Sequence, residues 1–564
     1  MCRKAGKMPA LLYYFLISRI MLNKNSTFFQ DKPGFKQVLI LGSIFFVLLL
    51  TLALNRYYSF GATYDHGLFD QVFWNSIHGK LFQSSLSSVA SSDHIIDRQL
   101  PLVNYIHLGQ HFVIDFLLWM PLYALFPSAV TLVILQVILI TVAGLILYPL
   151  ARHYLSIPLS VMIVASYYGA NAVIGPTLDN FYEHCQIPLF IFGLLLALEK
   201  QKWWLFWGLV ALTLGVREDT GITLFGIGLY LVLSRRYPRL GLALCTISFG
   251  AVAIITNLIM PLFSPDSSRL YLASYFSKFV KSEHPSTLEL LWAIISQPQI
   301  ILEVFFTNLD KRIRYLLGQG LPLAFVPAFS WQGWIMSLFP FLVIFLQLNN
   351  PLALSINSRY TLSVVPVIFY GAILWWAENG DKFQPKVKRL WVGCIGLSLF
   401  FMLTSNPNRA LYFLIPHSIQ PWVYVSLNQQ WEHAINLKKS IALIPVDASV
   451  STTAYIVPHL SNRRAILRLT AMQYINDEGK IKDIDYAVVD IWQLRQPELV
   501  APVDRERIEK IIPFIDQGIV TGTYGVISVI DGTVVIQRGV STPPEVLPTW
   551  LELRKVIAPL LKGI

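Results

Sequence analysis

The chain has 564 residues, 54% of them hydrophobic and only 14% charged, with a mean hydropathy of +0.54. Soluble domains carry nearer about 25% charged residues, which excludes a disordered chain, a disulfide scaffold and an ordinary cytosolic enzyme. The net charge of +11 comes with no basic binding motif, so it is read as topology-setting Lys and Arg beside a membrane, not as a nucleic-acid surface.

A polytopic α-helical membrane protein is expected, because a crossing helix needs about 20 apolar residues and the chain supplies many such runs. The four cysteines, Cys2, Cys185, Cys245 and Cys394, have no metal or redox spacing and imply no disulfide framework. Residues 1–37 hold seven Lys/Arg against the single acid Asp31, which predicts a cytoplasmic N-terminal segment. The first span is expected at 38–56. A large outer loop, 57–128, follows, with a helix near the membrane surface at 112–126.

Further spans are expected at 129–150, 158–175, 185–199, 203–216, 220–234 and 239–263. A second outer loop occupies 264–317. The run 318–348, interrupted by Pro322 and Pro327, is read as two short spans, and 360–377 and 390–404 complete eleven. The transmembrane domain thus covers 38–404 and leaves 405–564 outside. There DYAVVDIW reads as a buried strand, YGVISVIDGTVVIQRG as a hairpin turning at Asp531-Gly532, and DRERIEKIIPFI as an amphipathic helix. An extracytoplasmic α/β domain is expected.

Charge inside a membrane protein is expensive, so ionisable residues gathered at one level ask for a function. YDHGLFDQVFWN carries Asp65 and Asp70 near the start of a helix, where Asp65 is either a general base or metal ligand, or simply a helix cap. His107, His111 and Asp115 are spaced i, i+4, i+8 and would share one helix face, a donor set that suits a divalent metal. Interfacial histidines satisfied by headgroups are the plainer reading. Glu183 and His184 lie at the end of the third span, and Arg217, Glu218 and Asp219 stand between two apolar runs. Arg217 suits bidentate phosphate binding, and Arg359-Tyr360 opens a later span on the same side. Together these groups suit a lipid-borne phosphate held at the outer membrane surface.

In this order YDHGLFDQVFWN, HLGQHFVIDFLLWMPLYALFPS, FYEHCQIPLF and VREDTG resemble the uncharacterised prokaryotic membrane family catalogued as domain of unknown function 2079. VPHLSNRRAI, DYAVVDIW and GTVVIQRG are similar to that family's outer domain, and the resemblance covers about residues 38–540. It implies a GT-C-like fold, in the glycosyltransferase superfamily whose members draw sugars from polyprenyl-phosphate donors on the extracytoplasmic side. It makes Asp65 the first candidate for the catalytic or metal-binding acid, and Asp70 the second. The likeness extends to His111, His184, Arg217, Glu218 and Asp219. It departs at Tyr182-Glu183-His184-Cys185, where the family often has an Asp-Phe-His-Pro-like stretch.

The expectation is therefore a multi-pass plasma-membrane glycosyltransferase of GT-C type, with a polyprenyl-phosphate sugar and membrane lipids as partners. Its acceptor, whether glycan, lipid or protein, is left open. Arg217, Glu218, Asp219, Arg359 and Tyr360 would hold the donor phosphate. His107, His111, Asp115, Glu183 and His184 would hold any divalent metal ion, and His459, Arg463 and Arg464 would meet the acceptor. The alternatives are a non-catalytic envelope scaffold with a degenerate GT-C fold and a lipid-linked-sugar transporter.

Overall fold

A computed structural model describes residues 32–88, 100–264, 267–282, 284–350, 352–405, 408, 410, 411, 413, 425–495 and 502–561. The basic residues before 32, on which the expected orientation of the N-terminus rests, lie outside the described residues, as do 89–99 of the first loop.

Helices dominate up to residue 405. Among the described residues four are long and apolar enough to cross a membrane: Gly34–Tyr58, Ala129–Tyr154, Pro238–Leu262 and Pro385–Ser405. They coincide with expected spans at 38–56, 129–150, 239–263 and 390–404. Two bent pairs raise the number to six if each counts as one span. Ile157–Tyr168 turns by 44° into Asn171–Thr177, and Thr287–Ser296 turns by 87° into Pro298–Phe306. Pro298 has no N–H to continue the first helix of the second pair, so the chain breaks there.

Other apolar runs form shorter helices, among them Ile187–Glu199, Trp203–Val216, Gly221–Leu233, Trp331–Leu346 and Val365–Glu378. At 1.5 Å per residue a 14-residue helix such as Trp203–Val216 reaches only about 21 Å. The polar motifs cause this shortening, because the FYEHCQ and VREDTG segments replace helix ends with turns. Between Leu309–Gly320 and Trp331–Leu346, Ala324 and Phe325 adopt left-handed backbone and divide the 318–348 run.

Small residues let the helices approach closely. A Cβ on Gly228 would lie 2.8 Å from the Gly241 carbonyl oxygen, and one on Gly371 would lie 2.5 Å from the Gly333 Cα. At the ends remote from the VREDTG turn, Arg236 holds buried Glu199 through two contacts of 3.2 and 2.9 Å, and Tyr370 donates to the same carboxylate at 2.6 Å.

The C-terminal region is mixed α/β. Strands β1 (Val450–Thr452), β2 (Ile466–Arg468), β3 (Gln473–Ile475), β4 (Ile481–Asp483), β5 (Tyr486–Asp490), β6 (Tyr524–Ile530) and β7 (Thr533–Arg538) form two sheets. The larger has the order β2-β1-β5-β7-β6, with β1 parallel to both β2 and β5, and β7 antiparallel to β5 and β6. The β6–β7 turn is Asp531-Gly532, both at positive φ (47° and 78°), as a type I′ turn requires.

Alternation along the strands divides the sheet's two faces. Ala487, Val489, Val534 and Ile536 pack with Ile511, Ile515 and Trp550 of the helices Pro502–Thr521 and Leu547–Leu561. Val488 and Val535 point the other way and join the main core, which runs through the helix Leu427–Ile441 into the membrane helices.

His433 pins that helix to the sheet. Its Nδ1 lies 2.8 Å from Asp531 Oδ2, its Nε2 lies 3.4 Å from Asp490 Oδ2, and its ring stacks on Trp492. Burial alone lowers the imidazole pKa, but the Asp490 and Asp531 carboxylates outweigh it and hold it above the usual value. A pKa raised by folding adds stability that is fully present below the unfolded value, about 6.5, and is lost as pH rises through the folded one. After correction for intrinsic rates, amide exchange in residues 427–441 is therefore expected to be faster at pH 9 than at pH 6. His433→Gln should abolish that difference.

Candidate active site

The helix Tyr64–Ile77 begins just after the first long helix, with Thr63 extended at its N-cap. Asp65 sits in the first turn, where the helix dipole favours a carboxylate. It does not cap the helix. Its Oδ2 accepts a 2.7 Å hydrogen bond from the Tyr182 hydroxyl and lies 3.7 Å from Arg359 Nη1. The Arg359 guanidinium lies 4.0 Å from the centre of the Tyr182 ring and 5.0 Å from that of Tyr360. Its Nε has no hydrogen-bond partner among the described residues.

Across the same cavity Arg217, at the end of the helix Trp203–Val216, is buried among three carboxylates. It contacts Glu183 at 3.3 Å, Glu218 at 3.3 Å and Asp219 at 3.6 Å. Burial pushes the Glu183 pKa up, but His184 and then Arg217 override it and hold the group well below the usual carboxylate range. Glu183 Oε2 keeps no hydrogen-bond partner among the described residues. Glu218 accepts from the Phe112 N–H at 2.9 Å and lies 2.9 Å from His111 Nδ1. Against burial, His111 and Arg217 bring its pKa down to about 2.

The cavity between these groups has a volume of about 360 Å³. The membrane part lines it with Asp65, His107, His111, Tyr182, Glu183, Arg217, Arg359 and Tyr360, and the C-terminal region with Ala454, Tyr455, Arg468 and Asp504. A second cavity of about 170 Å³ adjoins it and shares Gln110, His111, Arg217, Tyr275 and Tyr360. Glu218 and Asp219 line this second space, but most of its wall is apolar, including Ile222, Val252, Met260, Leu272 and Leu290. The site thus has a charged chamber and a greasy one, with Arg217 at their meeting.

The expected helix carrying His107, His111 and Asp115 is not formed. His107–Gly109 is a 3₁₀ turn, and residues 111–113 lack regular structure. Gly109 packs against the chain at Ser264, where a Cβ would come within 2.6 Å, and that close approach fixes a turn in place of a continuous helix. The two imidazoles still stand side by side, with ring centres 6.1 Å apart. Ser87 Oγ lies 2.8 Å from His107 Nδ1, and burial lowers the His107 pKa to about 3, so this ring is neutral.

Asp115 is buried, its backbone N–H donating to the Gly215 carbonyl at 3.2 Å. Burial and then the charge of Glu183 push its pKa well up. Among the described residues no group of three or more His, Cys, Asp or Glu is arranged to hold a metal ion. The candidate donors His111, Glu183 and His184 are engaged with Glu218, Arg217 or one another.

Asp70 does not reach the cavity. At about 100° per residue, five positions carry it round to another face of the helix Tyr64–Ile77. There it is buried, accepting from the hydroxyls of Tyr123 and Ser461, each at 2.6 Å. Burial raises its pKa to about 6. His459, Arg463 and Arg464 are not among the lining residues either. The His459 ring lies between Phe60 and Tyr57, with centres 3.8 and 4.5 Å away. Arg463 donates to the carbonyls of Leu460 and Ala448, and Arg464 to Asp477, Asn75 and Gln83. Asp70, His459 and Arg464 join the C-terminal region to the membrane part, while Arg463 holds together its own loop.

Sequence reasoning missed Tyr182, Arg468 and Asp504 as lining residues. Tyr182 stands beside Glu183 in a motif already singled out; Arg468 and Asp504 carry no motif.

Solved structures align with the chain at low identity. The crystal structure of ArnT from Cupriavidus metallidurans bound to undecaprenyl phosphate aligns at 10% identity and TM-score 0.47, covering 87% of this chain and 97% of that one. The apo form of the same protein gives 11%, 0.41 and the same coverage. The Archaeoglobus fulgidus oligosaccharyltransferase in complex with Zn and sulfate gives 12% and 0.39, covering 88% and 73%. No curated protein matches the sequence. Residues 56–535 match the family model described as "Predicted membrane protein (DUF2079)", and the chain belongs to that family.

Proposed function

We propose that this protein is a membrane glycosyltransferase of GT-C type that draws a sugar from a polyprenyl-phosphate donor on the extracytoplasmic face of the plasma membrane. In this reading the chain crosses the membrane eleven times, with the N-terminus in the cytoplasm and the C-terminal region outside. The observation that carries it is the pair of joined chambers: buried Arg217 stands where a charged cavity holding Asp65 and Arg359 meets an apolar one. An amphipathic substrate with an anionic head and a hydrocarbon tail matches that division.

The reaction follows from the side chains. Asp65, oriented by the Tyr182 hydroxyl, takes the proton of the acceptor hydroxyl as its oxygen attacks the anomeric carbon. The bond from that carbon to the phosphate oxygen breaks, and the leaving polyprenyl phosphate takes the electron pair. Arg359, whose Nε keeps no hydrogen-bond partner among the described residues, stabilises the charge that develops there, with Arg217 behind it. A single displacement of this kind inverts the anomeric centre.

The test uses full-length protein in lipid nanodiscs with polyprenyl-phosphate sugars labelled in the sugar ring. Donor-dependent release of free polyprenyl phosphate is expected. If no donor in a panel of polyprenyl-phosphate hexoses and pentoses is bound or consumed, the reading fails.

A further inference from the structure

The C-terminal region does more than cover the site. Its sheet order reverses at β1, with β2 on one side and β5 on the other, both parallel to β1. In open sheets with parallel strands, ligands bind outside the carboxyl ends of the strands. Here Ala454 and Tyr455, just beyond the end of β1, and Arg468, the last residue of β2, line the charged cavity. Asp504, in the first turn of the helix Pro502–Thr521, completes this wall.

The chemistry of the wall selects among ligands. Arg468 Nη2 donates to Asp504 Oδ1 at 2.7 Å, and the Arg468 guanidinium lies 5.1 Å from the centre of the Tyr64 ring. The two side chains are 10% and 13% exposed, so the pair is largely shielded from water yet fronts the cavity. An anion arriving there must compete with Asp504 for a short charge-assisted bond. It also meets the field of Asp504 and, across the cavity, of Asp65. A cation meets Arg468. A neutral hydroxyl-rich group disturbs neither charge, because each hydroxyl donates to a carboxylate and accepts from a guanidinium.

We propose that Arg468 and Asp504 form the acceptor subsite and that the group they read is neutral and polyhydroxylated, as on a glycan acceptor. This rests on the glycosyltransferase reading and adds the acceptor's chemical class to it. The donor then occupies the side of the cavity toward Arg217, and the acceptor enters along the carboxyl edge of β1 and β2.

Full-length protein in lipid nanodiscs is exposed to maltose, glucose 6-phosphate or glucosamine, and deuterium uptake is followed in residues 450–470 and 502–508. Maltose is expected to slow exchange in both segments, with the charged sugars weaker. Asp504→Asn and Arg468→Lys, each checked for an unchanged melting temperature, should weaken the maltose effect about tenfold, or about 1.4 kcal/mol. Protection by glucose 6-phosphate or glucosamine equal to or stronger than that by maltose overturns the proposal, as does no protection by any of the three. An unchanged maltose effect in both variants overturns it too. Donor binding, measured on the same preparation, separates the two readings. Donor bound without maltose protection removes the acceptor subsite alone, whereas maltose protection without donor binding removes the glycosyltransferase reading and leaves the carbohydrate site.

Discussion

Asp65→Asn is expected to lower the rate of sugar transfer by roughly 100- to 10,000-fold, the range over which a positioned general base acts, while donor binding stays within about twofold. The asparagine carbonyl can still accept from the Tyr182 hydroxyl that orients Asp65, so the side chain keeps that anchor but loses its capacity to take a proton and its charge beside Arg359. Single-turnover transfer from bound donor reads the chemical step directly. A variant that transfers at the wild-type rate would show that Asp65 is not the base. Asp70→Asn separates the two acids of the same helix. Asp70 already accepts from Tyr123 and Ser461 and is not part of the cavity lining, so its replacement should change melting more than turnover.

Arg217→Ala is expected to cost about 3–5 kcal/mol of stability, as removal of one partner from a buried ion pair does. Glu183, with a side chain only 2% exposed, loses the guanidinium 3.3 Å away. Glu218 and Asp219 lose the cation that separates them. Part of the loss should return when Glu183→Gln is combined with Arg217→Met, because no uncompensated buried charge then remains at that contact. Chemical unfolding of the four proteins of that cycle measures the coupling. A single Arg217 variant as stable as the wild type would remove the ion-pair account. Donor affinity should fall in every Arg217 variant, including the rescued one, which separates phosphate binding from folding.

The sequence makes the membrane class, the long helices and the β6–β7 hairpin legible, because each depends on local pattern. The hairpin follows from Asp531-Gly532, whose two positive φ angles few other dipeptides tolerate. The gathering of Asp65, Glu183 and Arg217 is also foreshadowed, since acids and arginines at the ends of apolar runs have few inexpensive places to go. What fails is the inference from spacing alone. The i, i+4, i+8 pattern of His107, His111 and Asp115 fits a helix, yet the close packing of Gly109 on Ser264 imposes a turn that no local pattern announces. His459 sits in a polar motif but stacks between two rings of the first long helix and its exit. Arg468 and Asp504 meet only because the helix Pro502–Thr521 packs on the sheet that holds β2, so nothing in their own neighbourhood marks them.

The division of the β5 and β7 side chains has an evolutionary corollary. Val489 and Val534 look into a private interior while Val488 and Val535 belong to the interior of the whole molecule, so neither surface of the ribbon is built for water. The tail is consequently no detachable passenger: recombination that grafts another relative's tail onto this body must match half of a hydrophobic interior at the seam. Specificity can therefore drift by exchanging residues on the rim of that ribbon far more readily than by exchanging the ribbon itself.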